Sequence, residues 1–253
     1  MTQFVSERLK HAIRPRLYRF VHPQKQQFDC PICGYHGPFK DKRLSRTPHI
    51  VRTDSKCLNC GAAERHRMMH LVLQELFSEW DPSSRSILHI APEACLGQWL
   101  APQFNVYHTA DLFMPHVDFK EDIQNLSFED GSYDCVLISR VLTIPPDLNA
   151  CVRELRRILR PGGIAIIAEI YSHEKTGEVP TLREGRAREV GIDLLDLYAE
   201  HFGRVEPYLS DRYDARHQLE NWIVKDGQAF DEYPEMVRAP GKGFKELVAV
   251  CHA

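Results

Sequence analysis

Two stretches decide the fold class of this chain: Tyr133-Asp-Cys-Val-Leu-Ile-Ser139 and Leu159-Arg-Pro-Gly-Gly-Ile-Ala-Ile-Ile-Ala-Glu-Ile170. Each contains a short apolar run of strand length, and residues 148–159 between them have the apolar spacing of an amphipathic helix. Gly162 and Gly163 predict a left-handed helix end and a tight turn into the second strand. Strand, helix and strand in this order predict parallel strands joined by a crossover helix.

The same alternation extends outward in both directions. Apolar runs and helix breakers predict further elements, namely strands at Ile87–Ala91 and Asn105–Ala110, a brief strand that reaches Asp122, a largely helical Glu184–Phe202, and strands at Arg204–Tyr208 and Phe244–Cys251. We therefore expect an α/β fold whose parallel sheet carries helices on both faces.

Four cysteines occur in two knuckles, Cys30-Pro-Ile-Cys33-Gly and Cys57-Leu-Asn-Cys60-Gly. Paired C-x-x-C turns about 25 residues apart are typical of a closed tetrahedral zinc site with four thiolates, and the glycine after each pair relieves crowding in the turn. Buried free thiols or a redox pair are the alternative. The remaining cysteines show no framework spacing, which fits a reducing cytosol; they are Cys95, Cys135, Cys151 and Cys251.

The length of 253 residues predicts one large domain and one small one. We assign residues 1–62 to a basic arm and the zinc ribbon, and residues 63–253 to the large domain, with a linking helix over 63–80 and an insertion at about 209–241. The linking helix begins with Glu64-Arg65-His66-Arg67, which either reaches a substrate or forms hydrogen-bonded struts. No apolar signal or membrane-spanning stretch occurs, so a cytoplasmic protein without a membrane partner is expected.

The net charge of -3 conceals an uneven distribution. Residues 1–70 contain 14 Lys or Arg against 5 Asp or Glu, a balance of +9, which leaves 18 against 30, or -12, for residues 71–253. A basic zinc module can follow the phosphates of RNA, or its cations can dock on the acidic part of the same protein. The cations concerned are Arg8, Lys10, Arg14, Arg16 and Arg19 before the first knuckle, and Lys40, Lys42, Arg43, Arg46, Arg52 and Lys56 between the knuckles.

The run from Asp122 to Leu142, with Leu159-Arg-Pro-Gly-Gly163 after it, resembles the central part of class I S-adenosylmethionine-dependent methyltransferases. The resemblance spans about residues 86–170. It is closest to a bacterial subset that has an N-terminal four-cysteine zinc ribbon, a Glu-Arg-His-Arg helix start, seen here at 64–67, and a His-x-Ala-Pro-Glu loop, seen here at 89–93. It implies a Rossmann-like seven-stranded sheet with an antiparallel last strand, S-adenosylmethionine as methyl donor and direct displacement at the sulfonium methyl.

The resemblance also implies positions for the cofactor. Asp111 would accept from the ribose hydroxyls, and Asp122 would accept from the adenine amino group. The first loop departs from the family because no glycine occurs before Gly97. A variant site would use His89, Ala91 and Glu93 there, together with Ser139 at the end of the fourth strand. A second departure is that Arg140 and Ile144 replace two histidines that are common in relatives.

Three classes of function remain open on the sequence. The first is a methyltransferase that acts on a small-molecule or glycan-type acceptor, the second is an RNA methyltransferase of the zinc-ribbon type, and the third is a non-catalytic binding protein with a vestigial methyltransferase fold. Tyr171 and His173 are catalytic candidates because they directly follow the fifth strand, where the family places substrate groups. The sequence identifies neither the acceptor nor a general base, and it leaves the oligomeric state open.

Overall fold

The computed structural model describes residues 15–178, 185–229, 232–239, 241 and 243–253. The basic residues Arg8, Lys10 and Arg14 and the predicted helix start at Glu184 lie outside the described residues. Among the described residues, no helix has both the length and the apolar character that crossing a bilayer requires.

The secondary structure alternates between strands and helices along most of the chain. The strands are β1 Phe28–Asp29, β2 His36–Gly37, β3 Lys40–Ser45, β4 Ile50–Lys56, β5 Ser86–Ile90, β6 Val106–Ala110, β7 Tyr133–Ser139, β8 Leu159–Glu169, β9 Tyr171–His173, β10 Gly177–Glu178, β11 Arg188–Gly191, β12 Arg204–Leu209, β13 Glu220–Lys225, β14 Gln228–Ala229, β15 Arg238–Ala239, β16 Gly243–Lys245 and β17 Leu247–His252. The helices are α1 at 15–21, α2 Glu64–Phe77, α3 Ala94–Leu100, α4 Leu148–Arg157 and α5 Leu194–His201, with short 3-10 helices at Ser210–Arg212 and Ala215–His217.

The chain divides into two units. The first contains Met1–Leu71, Ser210–Glu232 and Arg238–Glu246, and the second contains Val72–Leu209, Tyr233–Val237 and Leu247–Ala253. The first unit therefore holds most of the segment that the sequence assigns to an insertion at 209–241, together with the N-terminal residues.

The second unit is built on a sheet with the order β12-β17-β8-β7-β5-β6. Strands β6, β5, β7 and β8 run parallel, whereas β17 and β12 are antiparallel to their neighbours, as the resemblance implies. The described residues give this sheet six strands rather than seven. The brief strand predicted before Asp122 is reduced to one parallel bridge between Ala110 and Phe119, because this polar segment has no apolar run that could form a buried strand.

The stretches that decide the fold lie in the core of the second unit, because every residue of β7 except Asp134 is buried and every residue of β8 from Gly163 onward is buried. Every residue of β5 is buried, and Val152 and Leu155 of α4 are fully buried on its inner face. Asp147 caps α4 by accepting the N–H of Ala150 at 2.9 Å. Gly162 has φ 75°, and a Cβ on the next residue, Gly163, would lie 2.9 Å from two backbone oxygens, so this turn requires glycine.

Two predictions for the C-terminal third are wrong in part. Residues 188–191 form strand β11 instead of helix, because the buried guanidinium of Arg188 donates to the carbonyls of Leu142, Pro145 and Pro146 and so holds the chain extended. The helix α5 starts only at Leu194. The predicted last strand is interrupted: Phe244 lies in β16 of the first unit, and β17 begins at Leu247.

The first unit has a separate sheet. Its strands follow the order β15-β16-β13-β4-β3, and β14 pairs with β13. The antiparallel pairing of β13 with β4, with Ile223 opposite Arg52, joins the C-terminal segment to the strands between the knuckles. The hairpin β1-β2 carries the first knuckle.

Candidate functional site

The parallel strands of the second unit end at one edge of the sheet. The chain moves from β5 to β6 on one side and then returns past β5 to form β7 on the other side, so the carboxyl ends of β5 and β7 flank a topological switch point. In open α/β sheets, ligands bind in the crevice outside such a point. Of the predicted residues, Ala91 directly follows β5, Asp111 directly follows β6, and Ser139 ends β7.

The loop after β5 adopts the backbone shape that the missing glycine would favour. Ala91 has φ 50°, in the left-handed region that L-residues other than glycine rarely enter. Its N–H donates to Ala110 O at 2.9 Å, so the conformation is fixed by the neighbouring strand. Glycine is therefore absent from this loop, but the left-handed turn is present.

The side chain of His89, on β5, contacts this loop. Its ring is fully buried, with Nδ1 at 2.9 Å from the Tyr107 hydroxyl and Nε2 at 3.3 Å from the Glu93 carboxylate. Burial raises the pKa of Tyr107 to about 12, so its hydroxyl stays protonated and can donate to Nδ1. The proton on Nε2 then faces Glu93, the residue that precedes α3. The structure brings His89 and Glu93 together and uses His89 to orient the carboxylate.

The two aspartates predicted for the cofactor are engaged in their own loops. Asp111 accepts the N–H groups of Phe113 and Met114 through Oδ1, at 2.7 and 2.6 Å. Its Oδ2 makes no hydrogen bond to a described residue and is available to a ribose diol. The Asp122 carboxylate accepts from Gln124, whose backbone N–H lies at 2.9 Å and whose side-chain amide lies at 3.1 Å. An adenine amino group at Asp122 would compete with this amide.

The end of β7 holds a buried hydroxyl and a left-handed arginine. Ser139 is 5% exposed, and its buried Oγ has no hydrogen-bond partner among the described residues. Arg140 follows with φ 61°, and its N–H donates to Ala168 O at 2.8 Å. A buried hydroxyl without a partner is unfavourable in a closed interior, so Ser139 is suited to a polar ligand at this edge.

The two catalytic candidates, Tyr171 and His173, lie in different surroundings. Tyr171 is fully buried, and burial raises the pKa of its hydroxyl. His173 has a half-exposed side chain whose Nε2 lies 2.7 Å from the Glu189 carboxylate.

Sequence reasoning missed Glu169, the last residue of β8, which lies beside the end of β7, where Ser139 pairs with Ala168. Its side chain is buried, and burial raises the pKa of the carboxyl to about 7. A single carboxylate within the apolar run Ile164–Ile170 was the available signal, because an acidic side chain in a buried strand needs a reason to be there.

The first unit contains the predicted cysteine cluster. The four sulfurs lie within 4.8 Å of one another, and two pairs are closest, Cys30 with Cys60 at 3.6 Å and Cys33 with Cys57 at 3.7 Å. A tetrahedral ion with bonds of about 2.3 Å separates its sulfur ligands by roughly 3.8 Å, which fits these distances.

The knuckles are near copies of each other. Gly34 N–H donates to Cys30 O at 2.9 Å and Gly61 N–H donates to Cys57 O at 3.0 Å. Both glycines are left-handed, with φ 69° and 72°. The residues present therefore fit a structural zinc ion.

Arg67 is the central strut of the first unit. Its guanidinium is fully buried and donates to the carbonyls of Ser55, Ala62, His217 and Gln218. It also lies over the ring of Phe39, 4.4 Å from the centroid. Burial lowers the pKa of Arg67, while Glu64 and the sulfurs of Cys30, Cys57 and Cys60 act in the opposite direction. Arg67 thus serves as a hydrogen-bonded strut, one of the two roles that the sequence left open for the helix start.

Comparison with known proteins gives a family match for part of the chain. Residues 103–167 match the family described as "Methyltransferase domain". The matched range begins after the variant loop at 89–93 and includes β7, α4 and most of β8.

Individual curated proteins match this chain over part of its length. The chain is 38% identical to a hybrid PKS-NRPS synthetase of Macrophomina phaseolina over 154 residues, which is 49% of this chain and 3% of that protein. It is 29% identical to an arsenite methyltransferase of Aquipseudomonas alcaligenes over 76 residues, which is 28% of this chain and 22% of that protein. The chain thus spans a small part of the curated relatives it matches.

Among solved structures, the 1,6-didemethyltoxoflavin-N1-methyltransferase of Burkholderia thailandensis, with bound S-adenosylhomocysteine, is 15% identical with a TM-score of 0.46. The match covers 84% of this chain and 98% of that chain.

Proposed function

We propose that this chain, which carries a methyltransferase domain of the class I S-adenosylmethionine-dependent type, transfers a methyl group from S-adenosylmethionine to a small-molecule or glycan-type acceptor. The observation that supports this function best is the edge of the parallel sheet at the β5–β7 switch point. There the chain combines a left-handed loop at Ala91, a carboxylate with a spare oxygen at Asp111 and a buried hydroxyl at Ser139.

Each of these features suits one part of the cofactor. The left-handed loop lets backbone approach the methionine moiety, with Glu93 as acceptor for its ammonium group. Asp111 can accept from the ribose hydroxyls through Oδ2. S-adenosylmethionine supplies an activated sulfonium methyl, and the chain has to align an acceptor with it in a dry pocket. Such alignment can contribute about 7–11 kcal/mol.

Cofactor binding is the direct test. Calorimetry with S-adenosylmethionine and S-adenosylhomocysteine should show binding, and Asp111→Asn should weaken it about tenfold, because the loss of a charge-assisted contact raises the dissociation constant. The matched control is Asp118→Asn. Asp118 also accepts two hydrogen bonds, from the N–H and the hydroxyl of Thr109 on β6 at 2.8 and 2.7 Å, but is not proposed to contact cofactor. Absence of heat with the wild type at millimolar cofactor would favour the vestigial binding protein.

The four-cysteine cluster is proposed to hold one structural zinc ion. All four positions of the tetrahedron are filled by sulfur, so no position is left open for a substrate or water. The ion would act on folding of the first unit and not on the chemistry of methyl transfer.

A second candidate function is methylation of RNA, and the exposed cations of the first unit favour it. Lys40, Arg43 and Arg46 are exposed on or just after β3, which lies at the edge of its sheet, and Arg16 and Arg19 are exposed on α1. Arg52 does not belong to this surface, because it is buried with Glu64 at 3.7 Å.

Salt dependence separates the two acceptors. If these cations bind phosphates, the affinity for structured RNA should fall with a log–log slope of roughly -0.7 to -0.9 per phosphate contacted. The double change Lys42→Glu with Arg43→Glu should then flatten the slope by about two while cofactor affinity stays the same. Weak RNA binding that ignores these charges would leave the small-molecule acceptor. Labelled cofactor and a cell extract split into RNA and metabolite fractions should show which fraction gains the methyl group.

A further inference from the structure

Glu169 is the last residue of β8 and holds its carboxylate in a fixed orientation. The side chain is 1% exposed. Its Oε1 accepts two backbone N–H groups from the loop after β7, those of Val141 at 2.8 Å and Leu142 at 2.9 Å. Its Oε2 is buried and makes no hydrogen bond to a described residue. The carboxylate therefore has one anchored oxygen and one spare oxygen.

Charged and titratable groups face Glu169 from several elements. Arg140 follows β7, Arg186 precedes β11, Tyr171 lies on β9 and Tyr198 lies on α5. Burial raises the pKa of the carboxyl to about 7, and Arg140, the two N–H bonds and Arg186 act in the opposite direction. The pKa values of both tyrosines are raised by burial, so they stay neutral; Cys251 of β17, which faces them, is a buried thiol whose pKa is also raised.

A methyl transfer to a hydroxyl or an N–H group releases a proton. The bond between sulfonium sulfur and methyl carbon breaks, and its electron pair stays on sulfur. A bond forms between the methyl carbon and the acceptor oxygen or nitrogen, which supplies a lone pair. The bond from that atom to hydrogen breaks, its electron pair stays on the oxygen or nitrogen, and the proton leaves. A carboxylate that is close to the end of β7, shielded from water and able to exchange a proton near neutrality can take this proton.

We propose that Glu169 is the proton acceptor of this enzyme and that the acceptor substrate presents a hydroxyl or N–H group to its Oε2. The proposal rests on the methyltransferase function proposed above. It adds a residue and a substrate class to it: acceptors that carry an exchangeable proton on the methylated atom, rather than thiolates or arsenic, which react as preformed nucleophiles.

If Glu169 had a purely structural role, Glu169→Gln should leave the rate and its pH profile unchanged. Glutamine in this position can still accept the N–H groups of Val141 and Leu142 through its amide oxygen, so the loop would be kept while the base is lost. Glu154 offers a matched control. It is also buried and accepts the N–H of Leu126 at 2.9 Å, but it is paired with Arg157 at 2.7 Å, and hydrogen bonds from Arg157 lower its pKa.

The test follows label transfer from S-adenosylmethionine into the metabolite fraction of a cell extract between pH 5.5 and 9. Wild-type activity should rise with pH through a midpoint near 7. In Glu169→Gln this limb should disappear and turnover should fall by about 100-fold or more, while calorimetric affinity for S-adenosylhomocysteine stays within about twofold. Glu154→Gln should keep the wild-type profile.

A readout without turnover is the titration of side-chain carboxyl carbons by NMR after labelling with glutamate. One resonance should titrate near pH 7 in the wild type and be missing in Glu169→Gln. An unchanged pH profile and rate in Glu169→Gln would overturn the proposal and leave the methyltransferase function intact. A wild type that binds no cofactor and transfers no label would overturn both.

Discussion

Replacement of Arg67 by methionine should destabilise the first unit by about 4 kcal/mol. Methionine has a similar length and fills the space beside Phe39, but it removes the donors to the carbonyls of Ser55, His217 and Gln218. A buried acceptor that loses its donor costs about 1–3 kcal/mol, and these three sum to roughly 3–9 kcal/mol before the chain relaxes. Ala62 O is left out of this sum because it also accepts the N–H of Cys57. Because the chain relaxes around the unpaired carbonyls, we expect the loss of stability to lie in the lower part of this range.

The same change removes a positive charge near the cysteine cluster. Four thiolates around one Zn²⁺ carry a net charge of about -2, and a buried guanidinium in their vicinity lowers the free energy of that cluster. Arg67→Met should therefore also release zinc to a chromogenic chelator faster than the wild type. Arg67→Lys keeps the charge but cannot reach four carbonyls from one ammonium group, so it should lose stability and keep more of the metal.

Urea unfolding followed by circular dichroism measures the stability, and chelator absorbance measures the metal. The control is Arg65→Met on the same helix turn, where the arginine is only half-buried. If Arg67→Met unfolds within 1 kcal/mol of Arg65→Met and holds zinc equally long, the reasoning about the strut is refuted.

Three further changes have expected outcomes. In the wild type, a carboxyl whose pKa is raised from 4.5 to about 7 contributes stability below pH 4.5 that is lost as the pH rises through 7. Glu169→Gln lacks this carboxyl, so its free energy of unfolding should gain about 3 kcal/mol relative to that of the wild type between pH 4.5 and 8. Paired denaturant titrations across this range measure the difference, and a difference that stays constant with pH refutes the prediction. Ala91→Gly should raise the melting temperature slightly, because it removes the roughly 1–2 kcal/mol cost of a left-handed alanine, while the greater chain entropy that glycine loses on folding offsets about half of this gain. Ala94→Gly, at the start of α3, should lower the melting temperature. Cys57→Ser should abolish zinc in metal analysis after dialysis while Cys95→Ser keeps it, and equal metal in both would remove the zinc assignment.

Much of the second unit could be predicted because its elements are specified locally. The strands β5, β7 and β8 are apolar runs bounded by breakers, and the cap at Asp147 and the glycines at Gly162 and Gly163 define both ends of the α4 segment. The cysteine cluster was predictable for the same reason, because spacing in the chain determines which sulfurs can meet.

The first unit could not be predicted in full because its sheet depends on distant pairing. Strand β13 pairs with β4 at Ile223 and Arg52, which are far apart in the chain. Short strands that mix polar and apolar residues carry no local pattern that specifies a partner strand. The same limit applies to β11, whose extended form depends on the bonds from Arg188 to carbonyls of another loop. Glu169 was missed because a periodicity argument counts it as one more position in an apolar strand, although it is the exception within that strand.

The loop after β5 shows how a departure from a family pattern should be weighed. On sequence, the absence of glycine before Gly97 favours a domain that has lost its cofactor. In the structure, Ala91 nevertheless takes φ 50°, and the bond from its N–H to Ala110 O fixes the turn. A left-handed alanine is unfavourable by roughly 1–2 kcal/mol, and strain of this kind persists only where surrounding contacts impose it. The backbone shape on which close approach to a ligand depends is therefore kept at an energetic cost, with His89 holding Glu93 beside it. That combination supports a variant binding site over a vestigial one.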